Sequence, residues 1–330
     1  MSMPLPILNT FAGRQYGRVP FWEVWYGMPA LSQRLLGRPA ETPDDACDVA
    51  AILSWDAIHV GGVDINAPGG SSGTASDGTD HYIPRGMEAL AGLDERPLPD
   101  QEPALARAKA ATDIAHKRGI AAVLYVPWCF HTIGVALGLE ALAYAIYDHR
   151  AAVHHAFEWV EQRVRVALRE VALPSGVDFV LFDGDCAFKT GLMVRPDIFR
   201  ELVYHRTTGT VKVLRDAGIP YVLHSDGKLD DLIPMLIELG FAAVHGVEAQ
   251  ANDLADIKAR FGRDITLVGN MDVVALTHAT APEVREMTRA MLRTGAPGGR
   301  YVAACNTSPL DYIPQDNYLA FAETIREFVL

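Results

Sequence analysis

Cysteine is sparse in this chain. Cys47, Cys129, Cys186 and Cys305 are spread over 330 residues with no paired spacing, which argues against a disulfide framework and against the local Cys-x-x-Cys knuckle of structural zinc. A reducing, cytoplasmic setting is expected. Basic charge is also short: Lys and Arg number 29 against 41 Asp and Glu, a net charge of −12. A surface that acidic repels phosphate backbones and anionic lipid, so neither nucleic acid nor a membrane surface is expected as a partner. Long apolar runs are missing, and stretches such as Ala121 to Val126 fall far short of a membrane span. Met1-Ser2-Met3-Pro4-Leu5-Pro6 has no basic stretch ahead of an apolar core, so no signal peptide is expected. No repeat or low-complexity tract is visible.

What is present is ordinary globular composition, 49% hydrophobic and 21% charged, enough for a large core and too apolar for a disordered chain. Short apolar runs alternate with helical patterns. The runs are Asp56 to Val60, Ala121 to Pro127, Asp178 to Asp183, Tyr221 to Ser225, Phe241 to Val247, Ile265 to Asn270 and Tyr301 to Cys305. Runs of this kind suit strands buried on both faces. Helical segments between them end at Gly119, Gly218, Gly240 and Gly295, the expected stop signal. Seven strands are readable and an eighth is expected. The unit predicts an α/β fold, a (β/α)8 TIM barrel in one domain over residues 1–330. Residues 1–45, with Trp22, Trp25 and Tyr26, are expected as an N-terminal helical cover. Residues 61–84, rich in Gly and Ser, are expected as a loop or hairpin excursion after the first strand, either a linker or a lid.

In such a barrel the chemistry sits at the C-terminal ends of the strands. Asp64, Asp183, Asp185, His224, Asp226, Glu248, Asn270, Asp272 and Cys305 all fall at or just after these ends. His224, Asp226, Glu248 and Cys305 form a zinc-competent set of imidazole, carboxylate and thiolate, and His224 and Asp226, two apart, face one side of an extended strand end. The bland alternatives are a hydrogen-bonded rim histidine and a small buried cysteine. Asp183, Asp185, Asn270 and Asp64 are the catalytic candidates, with Asp185 equally readable as a loop cap. Tyr125, Trp128 and Asp272 are the substrate-binding candidates, Trp128 and Phe130 being otherwise core aromatics. His245 is read as structural.

These residues resemble the uroporphyrinogen decarboxylase superfamily, which includes corrinoid-linked and coenzyme M methyltransferases. The resemblance is carried by Val177 to Ala187, Arg195-Pro196-Asp197-Ile198-Phe199-Arg200, Leu223 to Leu229, Gly246-Val247-Glu248, Leu254 to Gly262, Val268 to Asp272 and Gly298 to Tyr318. Arg18-Val19-Pro20-Phe21-Trp22 and Trp55 to Ile58 extend it more weakly toward the N-terminus. True decarboxylases of this family carry Arg-Gln-Ala-Gly-Arg after the Pro-x-Trp, where this chain has Val24-Trp25-Tyr26-Gly27-Met28. The methyltransferase branch holds zinc through His-x-Cys and a later Cys, and the related cobalamin-independent methionine synthase barrel resembles it with His, Cys, Glu and Cys; here His224, Glu248 and Cys305 match that pattern, and Asp226 stands where the first Cys would be.

The resemblance implies a zinc-dependent methyltransferase that demethylates a small methylated substrate and passes the methyl group to a thiol or a corrinoid. His205-Arg206-Thr207-Thr208-Gly209 lacks the preceding Asp-x of a corrinoid-binding motif, so the corrinoid is expected on a separate protein. The family also implies a homodimer. The alternatives are a metal-free decarboxylase using Asp64, to which Asp64-Ile65 corresponds, and a catalytically inactive small-molecule-binding barrel. The acidic chain speaks against a substrate bearing many carboxylates.

Overall fold

The computed structural model describes residues 5–14, 17–69, 71–74 and 80–330. Seven parallel strands form one curled sheet: β1 (Ala57–Gly62), β2 (Ala121–Pro127), β3 (Phe179–Asp183), β4 (Tyr221–Ser225), β5 (Ala243–Gly246), β6 (Thr266–Met271) and β7 (Tyr301–Cys305), each paired with its neighbours in chain order. All seven fall on the runs expected from the sequence. Period-two alternation gives the sheet two apolar faces. Val123, Phe179, Leu181, Val222, Ala243, Val268, Val302 and Ala304 gather on the inner one. Leu124, Phe182, Leu223, Val244, Leu267, Ala303 and Cys305 belong to the cluster shared with the helices. The helices start and stop where their caps dictate. Leu232–Leu239, for example, ends on Gly240 at φ 83°, a left-handed conformation that only glycine adopts freely.

The described residues hold seven strands in this sheet rather than eight. Between the edges of β7 and β1 runs Pro20-Phe21-Trp22. Ala303 N–H donates to Pro20 O (2.8 Å), Trp22 N–H to Ala303 O (3.1 Å) and Asp56 N–H to Phe21 O (2.7 Å). The ladder stops after a single bridge at Phe21, and Pro20 has no N–H to extend it. Side chains complete the fastening. Arg18 donates to both oxygens of buried Asp56 (2.8 and 2.5 Å), and Phe21 N–H donates to Asp56 Oδ2 (2.8 Å).

The expected N-terminal cover touches both ends of the sheet. Helix Pro6–Phe11 plugs the start of the strands, with Phe11 edge-on to Phe179 at 5.1 Å. Trp25 lies over the opposite end, 4.9 Å from the His224 ring. Helices Pro29–Leu36 and Pro43–Leu53 complete the cover, which runs past the expected boundary at residue 45. In the excursion, Ser71–Thr74 pairs antiparallel with Asp80–Ile83. Gly70 and residues 75–79, with Asp77-Gly78-Thr79, lie outside the described residues. Among the described residues no single helix is long and apolar enough to cross a membrane.

Asp56 thus accepts three hydrogen bonds from 3% side-chain exposure. Asp56→Ala strips these donors of their acceptor and is expected to cost about 3 kcal/mol. Asp56→Asn retains one acceptor oxygen and is expected to cost less. Denaturant unfolding followed by circular dichroism measures both, and an Asp56→Ala midpoint equal to wild type would contradict the role.

Candidate metal centre at the strand ends

Strand register brings the polar ends together. Asp183 of β3 lies opposite His224 of β4, which lies opposite His245 of β5. The close approach of β4 and β5 depends on Gly246. At φ 112° it has no Cβ, and one built there would collide with the Ser225 carbonyl.

The hydrogen-bond chain through the two histidines determines their tautomers. His245 Nε2 faces the Cys305 carbonyl at 3.2 Å. A carbonyl only accepts, so Nε2 carries the hydrogen. Burial, with a smaller effect from His224, pushes His245 far below the usual histidine range, so the ring is neutral. Its Nδ1 is then an acceptor, and His224 Nδ1–H donates to it at 2.8 Å. With Nδ1 committed to His245, His224 turns its other ring nitrogen, Nε2, toward Asp185 Oδ1 at 3.4 Å and Asp226 Oδ1 at 3.9 Å.

Asp185, His224 and Asp226 each offer one ligand atom, all within 4.8 Å of one another. Asp226 N–H donates to Asp185 Oδ1 (3.0 Å), which fixes that carboxylate. Asp226 Oδ1 is buried with no hydrogen-bond partner among the described residues. Burial pushes the Asp226 carboxyl up to about 6; His224 pulls it down, and Asp185, Glu248 and Asp183 add to the rise. An imidazole nitrogen facing two carboxylates, with one buried oxygen unpartnered, marks a place for positive charge. The residues present fit a divalent cation, with a donor set of one imidazole and two carboxylates that suits Zn²⁺, Mn²⁺ or Fe²⁺.

The other expected site residues are distributed more widely. Glu248 stays close, accepting from Gly227 N–H (3.1 Å) and lying 3.4 Å from Lys189 Nζ, but it is outside the three-residue group. Cys305 is turned away: with Tyr301 and Ala303 it faces the helices, while Val302 and Ala304 face inward. Its thiol is hydrogen-bonded to Glu23, and burial first, then Glu23, pushes it well above the usual thiol range. Asp183 Oδ2 accepts from Tyr125 O–H at 2.7 Å, with His131 Nε2 3.7 Å away. Burial, reinforced by Asp183, pushes the Tyr125 hydroxyl well above its ordinary range.

Asn270 lies in β6, 8% exposed. Asp272 caps helix Val273–His278, accepting from Val274 N–H (2.8 Å), and also accepts from Gln250 (3.2 Å). Asp64 is exposed, folded back onto Asn66 N–H (2.7 Å). Trp128 is core, its indole N–H donating to Thr207 Oγ1 (3.0 Å).

Two residues carry more than the sequence reading gave them. Asp185, an acid, base or loop cap by sequence alone, joins the candidate ligand group. His245, read as structural, orients His224. The alternation did signal it: a side chain opposite in face to Val244 points inward. A pocket of about 320 Å³ opens beside Asp185, walled by Phe130, His131, Val135, Leu139 and Met193. A second cavity of about 470 Å³ lies between the N-terminal helices and β1.

A family model described as uroporphyrinogen decarboxylase (URO-D) matches residues 101–328. No curated protein matches the sequence. Among solved structures, a methyltransferase from Methanosarcina mazei superposes with a TM-score of 0.73 at 16% identity, covering 98% of each chain. A Bacteroidetes-affiliated GH5 cellulase linked with a polysaccharide utilization locus reaches a TM-score of 0.50 at 10% identity, covering 99% of this chain and 94% of its own. At such identities the likeness concerns the fold. The family model, spanning well over half of the sequence, shows that the chain belongs to the uroporphyrinogen decarboxylase family.

Proposed function

We propose that the protein is a methyltransferase that takes a methyl group from a small substrate and passes it to a thiol or to a corrinoid on a separate protein. The observation that carries this reading is His224 Nε2 facing Asp185 and Asp226 beside an apolar pocket at the strand ends. The fold likeness to a methyltransferase supports it. Zinc is the proposed ion, with His224, Asp185 and Asp226 holding it. When bound, it would supply Lewis acidity that keeps a thiol or a leaving heteroatom anionic near neutral pH.

The protein's own groups do the rest. His245 fixes the His224 ring, and the Asp226 amide fixes Asp185. Phe130, Val135, Leu139 and Met193 receive the apolar body of the substrate. Tyr125 O–H donates to Asp183 Oδ2, leaving the other carboxylate oxygen as the proton acceptor. The same reading takes residues 1–330 as one domain, Pro20–Trp22 as the eighth stave closing a barrel, the molecule as a cytoplasmic homodimer and Glu248 as a neighbour of the metal site.

Two measurements test this. Equilibrium dialysis of chelator-stripped protein against Zn²⁺, read by elemental analysis, is expected to give one ion per chain. His224→Ala and Asp185→Asn are expected to lower the affinity at least about 100-fold; Cys305→Ala is expected to retain it. Stripped protein that takes up no divalent ion ends the metal reading, and loss of uptake with Cys305→Ala alone ends the ligand assignment. His245→Phe removes the acceptor for His224 Nδ1–H and is expected to weaken Zn²⁺ about 10- to 100-fold with folding retained. Unchanged affinity in that variant would show that His245 does not orient the ligand. Methylation of free cob(I)alamin or a thiol by candidate methyl donors, followed spectroscopically, tests the reaction itself.

A further inference from the structure

The cavity of about 470 Å³ between the N-terminal helices and β1 is walled by Trp25, Tyr26, Trp55, His59 and Tyr125, with the Glu23 carboxylate in its lining. The rings form two interlocked groups. Trp25 stacks over His59 (6.2 Å) and meets Tyr125 edge-on (5.7 Å), and Tyr26 meets Trp55 edge-on (4.7 Å). Glu23 is 3% exposed and accepts from Cys305 N–H and Tyr318 O–H, both at 3.0 Å. Burial pushes the Glu23 carboxyl up to about 7, so a neighbouring positive charge would favour its ionised form. Trp55 Nε1 and His59 Nε2 are buried with no hydrogen-bond partner among the described residues. Burial also pushes His59 down to about 4, so it adds no positive charge.

We propose that this cavity binds a small methylated ammonium ion carrying a hydrogen-bonding tail, with the cationic head among the aromatic rings and Glu23 as its counter-charge. Electron-rich ring faces attract a cation, most strongly where water is excluded. An anion would meet Glu23, and no Lys or Arg stands among the described lining residues. A neutral apolar guest would leave the Trp55 and His59 nitrogens unsatisfied. A primary ammonium would need three acceptors that the rings do not provide, whereas a methylated one has few or no N–H groups to satisfy. A hydroxyl tail can accept from Trp55 Nε1–H. This site goes beyond the methyl-transfer reading and stands whether or not the metal centre transfers methyl groups.

Isothermal titration of the full chain with choline and with its uncharged carbon isostere, 3,3-dimethylbutan-1-ol, tests it. Choline is expected to bind, the isostere roughly tenfold more weakly or worse, and chelator-stripped protein is expected to bind choline as well as metal-loaded protein does. Trp55→Leu and Glu23→Gln are expected to weaken choline about tenfold or more. Equal binding of the two probes, or no choline binding at millimolar concentration in wild type, overturns the site, and neither outcome depends on any variant folding. Choline binding that vanishes with the metal also overturns it, because the ligand would then belong to the metal centre.

Discussion

One hydrogen bond polarises the centre of this protein: His245 Nε2–H to the Cys305 carbonyl. Because that carbonyl can only accept, the tautomer of His245 is fixed, and through it the proton on His224 Nδ1 and the direction in which His224 Nε2 points. The surrounding structure is arranged so that this bond can form. Parallel pairing in register sets His224 opposite His245, Gly246 lets the Ser225 carbonyl come close, and β7 stands beside β6 so that its last carbonyl reaches across to β5. Disturbing any of these would rotate an imidazole rather than merely loosen packing.

Concentrating Asp183, Asp185, Asp226 and Glu248 at one end of the sheet builds up like charge. The fold answers most of it with neutral donors: Tyr125 O–H for Asp183, the Asp226 amide for Asp185 and the Gly227 amide for Glu248. Lys189 adds a positive charge at the rim. Asp226 Oδ1 alone among these groups is buried without a partner, and it is also the oxygen on the His224 side. The leftover demand for positive charge is therefore focused on one point, toward which His224 Nε2 also turns.

Strand and helix positions were legible in the sequence because each depends on local patterning. Buried β-branched runs mark strands, and a glycine at the last turn marks a stop. The segment at Pro20–Trp22 was not legible as a strand because three residues beginning with proline carry no period. At the site, His224 and Asp226 were visible as polar groups ending an apolar run. Cys305 illustrates the limit of reading strand ends as a list: one residue decides whether a side chain faces the interior or the helices, and Ala304 occupies the inner position. Asp272 and Asp64 were drawn into local roles, a helix cap and a turn, that compete with chemistry for the same residue type. Trp128 depended on a partner at Thr207, a contact 79 residues away that no local pattern encodes.

The outward turn of Cys305 also bears on the proposed chemistry. A centre made of one imidazole and two carboxylates is harder than one containing thiolate, and it leaves coordination positions for outside donors, as catalytic rather than structural sites do. In the proposed reaction a soft donor would then have to arrive with the substrate or acceptor, where its binding could be coupled to filling the apolar pocket beside Asp185. The protein thiol is instead committed elsewhere, to Glu23. That carboxylate also accepts from Tyr318 and lines the aromatic cavity together with Trp25. The last strand therefore serves two places at once. Its terminal carbonyl orders the histidines inside the sheet, and its terminal amide and thiol hold an acid at the wall of the neighbouring cavity.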